Sequence, residues 1–235
     1  MQLLSDYSQW YDGIFDQTPP VFHRMAFTRG GLSKPDQFLL FQSLGLRTPA
    51  HGRVSDLARE CIEPILGVAA PGAFLEHVYC VVYTDEHGHR GEGKLRLPLA
   101  VAATRHADSF ASIYVPPAAR TPVCFRLVRL GGWVFWLRQE GDPEGWQSNR
   151  RDKESVLSKT RAADPNPIAR VLWAIDFIPS PDGLLAVDFN NAPELVTLGE
   201  SGTLTPEEVR SELHHAVITR PDSLNQGLAR TGSIP

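Results

Sequence analysis

Cysteine is scarce in this chain of 235 residues: Cys61, Cys80 and Cys124 are odd in number and show no C-x-x-C spacing. Neither a disulfide scaffold nor a structural zinc site is expected from that pattern. The three thiols are expected in the core, as small apolar groups of a reducing compartment. No apolar run approaches the ~20 residues of a membrane span. The start, Met1-Gln-Leu-Leu-Ser-Asp6, has neither the basic residues nor the apolar stretch of a signal peptide, and a cytoplasmic location is expected. Positive charge is not in excess, since 23 Lys and Arg stand against 27 Asp and Glu for a net −4. No general basic surface is therefore expected to draw nucleic acid or anionic lipid. The G-x-S-x-G, G-x-x-x-x-G-K-[ST] and H-E-x-x-H signatures are missing, as are repeats. What is present, 42% hydrophobic and 21% charged residues, is the composition of a globular protein.

Local patterns order the chain. Ser33 is placed to cap a helix reaching Leu44, with Pro35 in its first turn and Phe38, Leu39, Phe41 and Leu44 at helical spacing. A short strand and turn over 46–54 leads to a second helix from Ser55 to Ile65. The Gly, Ala and Pro of 67–72 mark a boundary. His77–Tyr83 is β-branched and aromatic and predicts a strand. Thr84–Gly93 is too rich in glycine and charge for an element interior. Lys94–Leu97 predicts a strand, Leu99–Ala107 a helix and Phe110–Val115 a strand, stopped by Pro116-Pro117. Val123–Leu130 and Trp133–Arg138 flank Gly131-Gly132 as a hairpin. Residues 138–152 are expected to be a polar loop and Glu154–Pro167 to lack regular structure. A second hairpin, Val171–Ile178 and Leu184–Asn190, turns at Ser180-Pro-Asp-Gly183. Thr205 caps a helix from Pro206 to Ile218, and a mobile tail is expected from Thr219.

The second hairpin carries the clearest chemical signal. Its strands are apolar except for Asp176 on the first and Asp188 and Asn190 on the second. Aspartate is disfavoured in strands and costly to bury without a partner. Asp188 and Asn190 are two apart, so they share one side of their strand, and Asp176 can reach that side across the turn. Three oxygen donors on a rigid hairpin suit a hard cation such as Mg2+. A structural alternative stays open, in which Asp176 pairs with an arginine and Asn190 ends the strand. His87 and His89 have no partners at metal-ligand spacing and are expected to be polar loop residues.

The set Asp176, Asp188-Phe-Asn190 and Pro193 resembles the C-terminal core of the ATP-grasp superfamily, and the likeness extends upstream over residues 123–195. Phe125-Arg126-Leu-Val-Arg129 is similar to a family strand whose arginine reaches phosphate or the acyl intermediate. Trp146-Gln-Ser-Asn149 is similar to the family's Trp-Arg-x-Asn loop, with Gln147 in place of arginine. Residues 77–115 follow the order of the family's small lobe: strand, glycine-rich loop, strand, helix, strand.

The resemblance implies an α+β, ATP-grasp-like fold. It would comprise an N-terminal region (1–74), a small glycine-loop lobe (75–117), a larger magnesium-bearing lobe (118–218) and a tail (219–235). It implies ATP and Mg2+ as cofactors, with Asp176, Asp188 and Asn190 on the metal. Arg90, Gly91, Gly93 and Lys94 would lie on the phosphates, and Tyr114 and Val115 at the adenine. Arg126, Arg129 and Asn149 would be catalytic, holding phosphate or substrate. The implied activity is an ATP-dependent ligase joining a small-molecule or peptide carboxylate to an amine or thiol, with no membrane partner. The family's hinge glutamate and the lysine of its first small-lobe strand are not visible. Their absence favours a second reading, a non-catalytic binding module derived from that fold.

Overall fold

The computed structural model describes residues 32–65, 71–86, 93–146, 151–161, 172–190, 193 and 195–218. Helix α1 (Lys34–Ser43) begins where its cap predicts: the Ser33 side chain accepts from the Asp36 N–H. Phe38, Leu40 and Phe41 are buried while Leu39 is 52% exposed, so the apolar stripe runs through Leu40 rather than Leu39. A short strand β1 (His51–Arg53) leads to α2 (Val54–Ile62), a single 3-10 turn (Glu63–Ile65) and α3 (Pro71–Leu75). Then come β2 (Tyr79–Tyr83), β3 (Lys94–Pro98), α4 (Leu99–Arg105) and β4 (Phe110–Ile113). These four strands form an antiparallel sheet in the order β1-β4-β2-β3.

The second sheet is also antiparallel, in the order β7-β6-β5-β8-β9. Its strands are β5 (Val123–Leu130), β6 (Trp133–Gly141), β7 (Arg151–Arg161), β8 (Trp173–Ser180) and β9 (Gly183–Asn190). Both expected hairpins are present. Gly131 turns the first at φ +54°, in the left-handed region where a side chain is disfavoured. Helices α5 (Val196–Glu200) and α6 (Pro206–Ile218) complete the described chain. Thr205 and Glu208 close a reciprocal cap on α6: the Glu208 N–H donates to Thr205 Oγ1 and the Thr205 N–H to Glu208 Oε2.

One expectation is overturned. The polar stretch after Glu154 is not irregular; Arg151–Arg161 is an eleven-residue strand at the sheet edge. Among its described side chains Val156 packs against a buried apolar cluster, but Leu157 is exposed and the rest are polar, so hydrophobic alternation could not announce it. Its ladder to β6 and polar anchors hold it instead. Lys159 Nζ and the Arg161 guanidinium lie 4.4 and 3.8 Å from the ring centre of Trp133. Arg161 also pairs with Glu212 of α6 at 3.0 Å. Charged residues along an edge discourage pairing with another chain. The preceding expected loop is likewise shortened, because β6 continues to Gly141.

The apolar residues fall into three clusters. The first joins α1 (Phe38, Phe41) to Val81 and Tyr83 of the small sheet and to Trp136, Trp173 and Phe177 of the large one. The second lies between the small sheet and helices α2 and α4. The third packs Leu198 and Leu204 against Val128, Phe135 and Leu137 of the large sheet. The N-terminal stretch is thereby divided, with α1 in the first cluster and α2 in the second. All three cysteines are unbridged thiols; Cys80 and Cys124 are buried and Cys61 is half-buried. No helix among the described residues is long and apolar enough to cross a membrane.

Two glycine substitutions separate backbone strain from composition. At Gly131 a Cβ would meet Glu212 Oε2 at 2.3 Å, whereas at Gly199, inside α5, it would meet nothing within 4 Å. Gly131→Ala should cost about 1–3 kcal/mol, and Gly199→Ala should be neutral or add about 0.4–1 kcal/mol. Urea unfolding of both variants measures the difference.

Candidate functional site: a row of paired charges beneath an open cleft

Register places Arg126, Asp176 and Asp188 directly opposite one another on β5, β8 and β9. Two aspartates facing each other across neighbouring strands repel, so each needs a cation on its other side. Arg126 grips Asp176 through two bonds, Nε to Oδ1 at 2.6 Å and Nη2 to Oδ2 at 2.8 Å. The pair is buried, at 7% and 5% exposure. Asp188 is held by two lysines. Lys94 of β3 donates to Oδ2 at 3.1 Å, and Lys34 of α1 makes a short bond to Oδ1. Both ammonium groups also face the ring of Tyr83, at 5.5 Å for Lys34 and 5.9 Å for Lys94. The order across the molecule is therefore cation, acid, acid, two cations.

Lys34 is the least expected member. It is 2% exposed, and its ammonium also donates to Gln37 Oε1 at 3.0 Å. That oxygen accepts from the Phe189 N–H as well, at 2.9 Å, while Gln37 Nε2 donates to the Leu32 carbonyl at 3.0 Å. Gln37 thus fixes α1 against the edge of β9, next to Asp188. The Lys34 N–H donates to the Glu86 carbonyl at 2.9 Å, which ties the same helix start to the stem of the glycine-rich loop. That stem closes with the Thr84 N–H on the Gly93 carbonyl at 2.8 Å. Gly93 sits at φ +68°, and a Cβ there would lie 2.8 Å from Asp85 Cβ. Glycine is required at this point, whatever its role toward phosphate.

These charges sit at one end of a cleft between the sheets. Its lining includes Tyr83, Lys94 and Ser112 from the small sheet and Cys124, Asp176 and Asp188 from the large one. The cavity volume, about 110 Å³, is several times what one water needs. The other end is aromatic and apolar, built from Tyr114, Val115, Pro117, Pro122 and Trp146. Beside it the Arg96 guanidinium lies 5.7 Å from the Tyr79 ring, 5.1 Å from Tyr114 and 6.0 Å from Trp146. Tyr114 and Trp146 meet edge to face at 6.2 Å. Arg96 and Lys94 are two apart on β3, so the aromatic and charged ends are separated by about 7 Å along the strand.

The sequence-derived candidates divide accordingly. Lys94, Tyr114, Val115, Asp176 and Asp188 line the cleft, Arg126 is bound to Asp176, and Gly93 ends the loop stem. Asn190 stands opposite Ala174, one step beyond Asp188 and on the same side of β9. Arg129 does not join them. It is three residues from Arg126 and so points to the other side of β5, fully buried, with Nε donating to the Gly131 carbonyl at 2.7 Å. Arg90, Gly91 and Asn149 lie outside the described residues. Among the described residues no cluster of three or more His, Cys, Asp or Glu could hold a metal by itself. Asp176, Asp188 and Asn190 are nonetheless the right donor types for Mg2+ shared with phosphate oxygens.

Burial pushes the Lys34 ammonium down to about 8, against the partial support of Asp188. Lys94 is also disfavoured by burial, but the Asp188 carboxylate outweighs this and holds it above the ordinary lysine range. Asp188 in turn is held well below the carboxylate range by the two lysines, which overcome its own burial.

The pH dependence of stability follows from those directions. An unfolded lysine titrates near 10.4. From about pH 8 to that value the unfolded chain keeps a proton that folded Lys34 has lost, so stability should rise with pH there. Lys94 acts oppositely and only above that window, where its contribution is lost as pH rises. The Asp188 contribution is complete above about pH 4 and is lost as pH falls below it. The Cys80 thiol, pushed up to about 11 by burial, acts with the opposite sign as its unfolded counterpart ionises, so the Lys34 contribution is read as a difference: between pH 7.5 and 9.5, urea unfolding should show Lys34→Met gaining less stability, or losing more, than the wild type. A second test concerns the buried pair. Asp176→Ala should cost about 3–5 kcal/mol, because Arg126 is left without compensation, and Arg126→Met/Asp176→Leu should recover most of it.

No known family model matches the chain, and no curated protein matches it. Among solved structures it is similar to the ATP-grasp RimK domain protein of Sphaerobacter thermophilus at 15% identity and a TM-score of 0.45, covering 79% of this chain and 66% of that one. It is similar to the D-alanine–D-alanine ligase of Bacillus anthracis complexed with ATP, at 10% identity and a TM-score of 0.47, covering 81% and 66%. It is similar to the macrocyclase MdnC of Microcystis aeruginosa bound with precursor peptide MdnA, at 12% and 0.43, covering 86% and 64%. The chain spans just under two thirds of the length of each of these three.

Proposed function

We propose that this chain binds Mg·ATP in the cleft and uses it to join a carboxylate to an amine or thiol through an acyl-phosphate. The observation that carries the reading is the charged row: two opposed aspartates on a rigid hairpin, facing a lysine from the other sheet. Lys34, Lys94 and Arg126 bring three positive charges against the two of Asp176 and Asp188. The cleft floor therefore has a net +1 and favours a polyphosphate. The aromatic end, with Tyr114 and Trp146 beside Arg96, offers a purine ring stacking and apolar contact.

In the reaction a substrate carboxylate oxygen attacks the γ-phosphorus, ADP leaves, and the amine or thiol then displaces phosphate from the acyl-phosphate. Lys94 and Arg126 would offset charge on the transferring phosphoryl group. Asp176, Asp188 and Asn190 would hold magnesium, which supplies further neutralisation of that charge when bound. Arg90, Gly91 and Asn149 are kept as candidates for phosphate or substrate contact. The substrates are a small-molecule or peptide carboxylate and its nucleophile, and the setting is cytoplasmic.

A second reading is a nucleotide-binding module without turnover. One observation favours it: both carboxylates are already neutralised by side chains of the protein itself.

Binding and turnover are separable. Mg·ATP at about 100 times its Kd should add ~2.7 kcal/mol of stability, a rise in Tm of roughly 5–11 °C for a chain this size. A Lys34→Met/Asp188→Ala variant, which leaves no uncompensated buried lysine at α1, should lose that rise. Failure of the wild type to shift would remove both readings. ADP release on a panel of amino acids and peptides, abolished by Asp176→Asn, would select the ligase. A full shift with no ADP from any acceptor would select the binding module.

A further inference from the structure

Lys34 was not part of any motif, yet the fold gives it a place among the site's charges. It reaches Asp188 across 154 positions of sequence. The residue is 2% exposed, and its ammonium has three partners: the Asp188 carboxylate, Gln37 Oε1 and the Tyr83 ring. Gln37 is itself bonded to the β9 backbone at Phe189 and to the Leu32 carbonyl. The ammonium is thus held by neighbours from three elements, Gln37 of α1, Tyr83 of β2 and Asp188 of β9. With Lys94 on the second oxygen, both oxygens of Asp188 have an ammonium as partner.

We infer that Lys34 is a built-in competitor for Asp188, which keeps a divalent cation from binding there until a polyphosphate offers the lysines another partner. The inference rests on the reading of Asp188 as a divalent-cation ligand. A divalent ion approaching alone meets two ammonium groups at the carboxylate and must displace at least one of them. An ammonium taken from Asp188 with no anion nearby would be left buried and uncompensated, which is costly. Phosphate oxygens remove that cost, because Lys34 and Lys94 then keep anionic partners. Metal and phosphate should therefore enter together.

The test uses Mn2+ as the probe, with the unbound ion counted by its paramagnetic resonance signal, on the full chain. The wild type should take up Mn2+ weakly alone and, counted beyond what the same ATP binds without protein, readily with ATP. Lys34→Met should bind Mn2+ alone at least tenfold more tightly than the wild type, and Lys34→Met/Asp188→Asn should lose that gain. Lys34→Gln serves the same comparison if the methionine variant does not fold, as judged by its melting curve. Equal or weaker Mn2+ binding in Lys34→Met, or a gain that survives Asp188→Asn, overturns the inference. If the wild type binds Mn2+ with ATP in that case, the proposed function stands and only the competitor role fails. If neither protein takes up Mn2+ with or without ATP, both fail.

Discussion

The opposition of Asp176 and Asp188 is the constraint around which the rest is arranged. Two carboxylates on neighbouring strands of an otherwise apolar hairpin cannot both be charged without cations close by. The compensation comes from three directions: Arg126 from β5 within the same sheet, Lys94 from the small sheet, and Lys34 from the helix that precedes both sheets. Each source fixes a different neighbour in place. The ion row is thus a joint between the sheets as well as a candidate site. It is a joint of limited net strength, because burying these charges carries a desolvation cost that their attraction largely offsets.

Apolar packing does what the ion row cannot. Trp136, Trp173 and Phe177 give the large sheet a core that reaches Phe38 and Phe41 of α1, and Val81 and Tyr83 bring the small sheet to the same cluster. Where that contact ends, the sheets diverge into the cleft, charged at one end and aromatic at the other. Arg96, Tyr114 and Trp146 meet at the cleft's edge, and Tyr114 and Trp146 also pack against that core.

Much of the fold could be read locally. The Ser33 cap, the Gly131-Gly132 hairpin, the Ser180–Gly183 turn and the Thr205 cap each depend on residues within a few positions of one another, and each is present. The strand β7 could not be read this way. Most of its residues are polar: Lys159 and Arg161 meet Trp133, Glu208 and Glu212, and Glu154 bonds Gln139 and Thr197, so no periodic apolar signal marks it. Arg129 misled for a related reason. A cation beside a motif draws notice, but its distance of three residues from Arg126 sends it to the opposite side of the strand.

By itself, the sequence determined the two hairpins, one of them carrying Asp176, Asp188 and Asn190, and the helix caps at Ser33 and Thr205. These follow from side-chain period, turn chemistry and backbone freedom, all of which act over short range. Only the tertiary structure decided which cations meet those acids. Arg126 and Asp176 are 50 residues apart, Lys94 and Asp188 are 94 apart, and Lys34 and Asp188 are 154 apart. No local pattern distinguishes Lys34 from any other lysine near a helix start. Its burial, its bond to Gln37 and its place at Asp188 exist because apolar packing presses α1 against β9, and electrostatics at contact distance depends on where the packing leaves each charge.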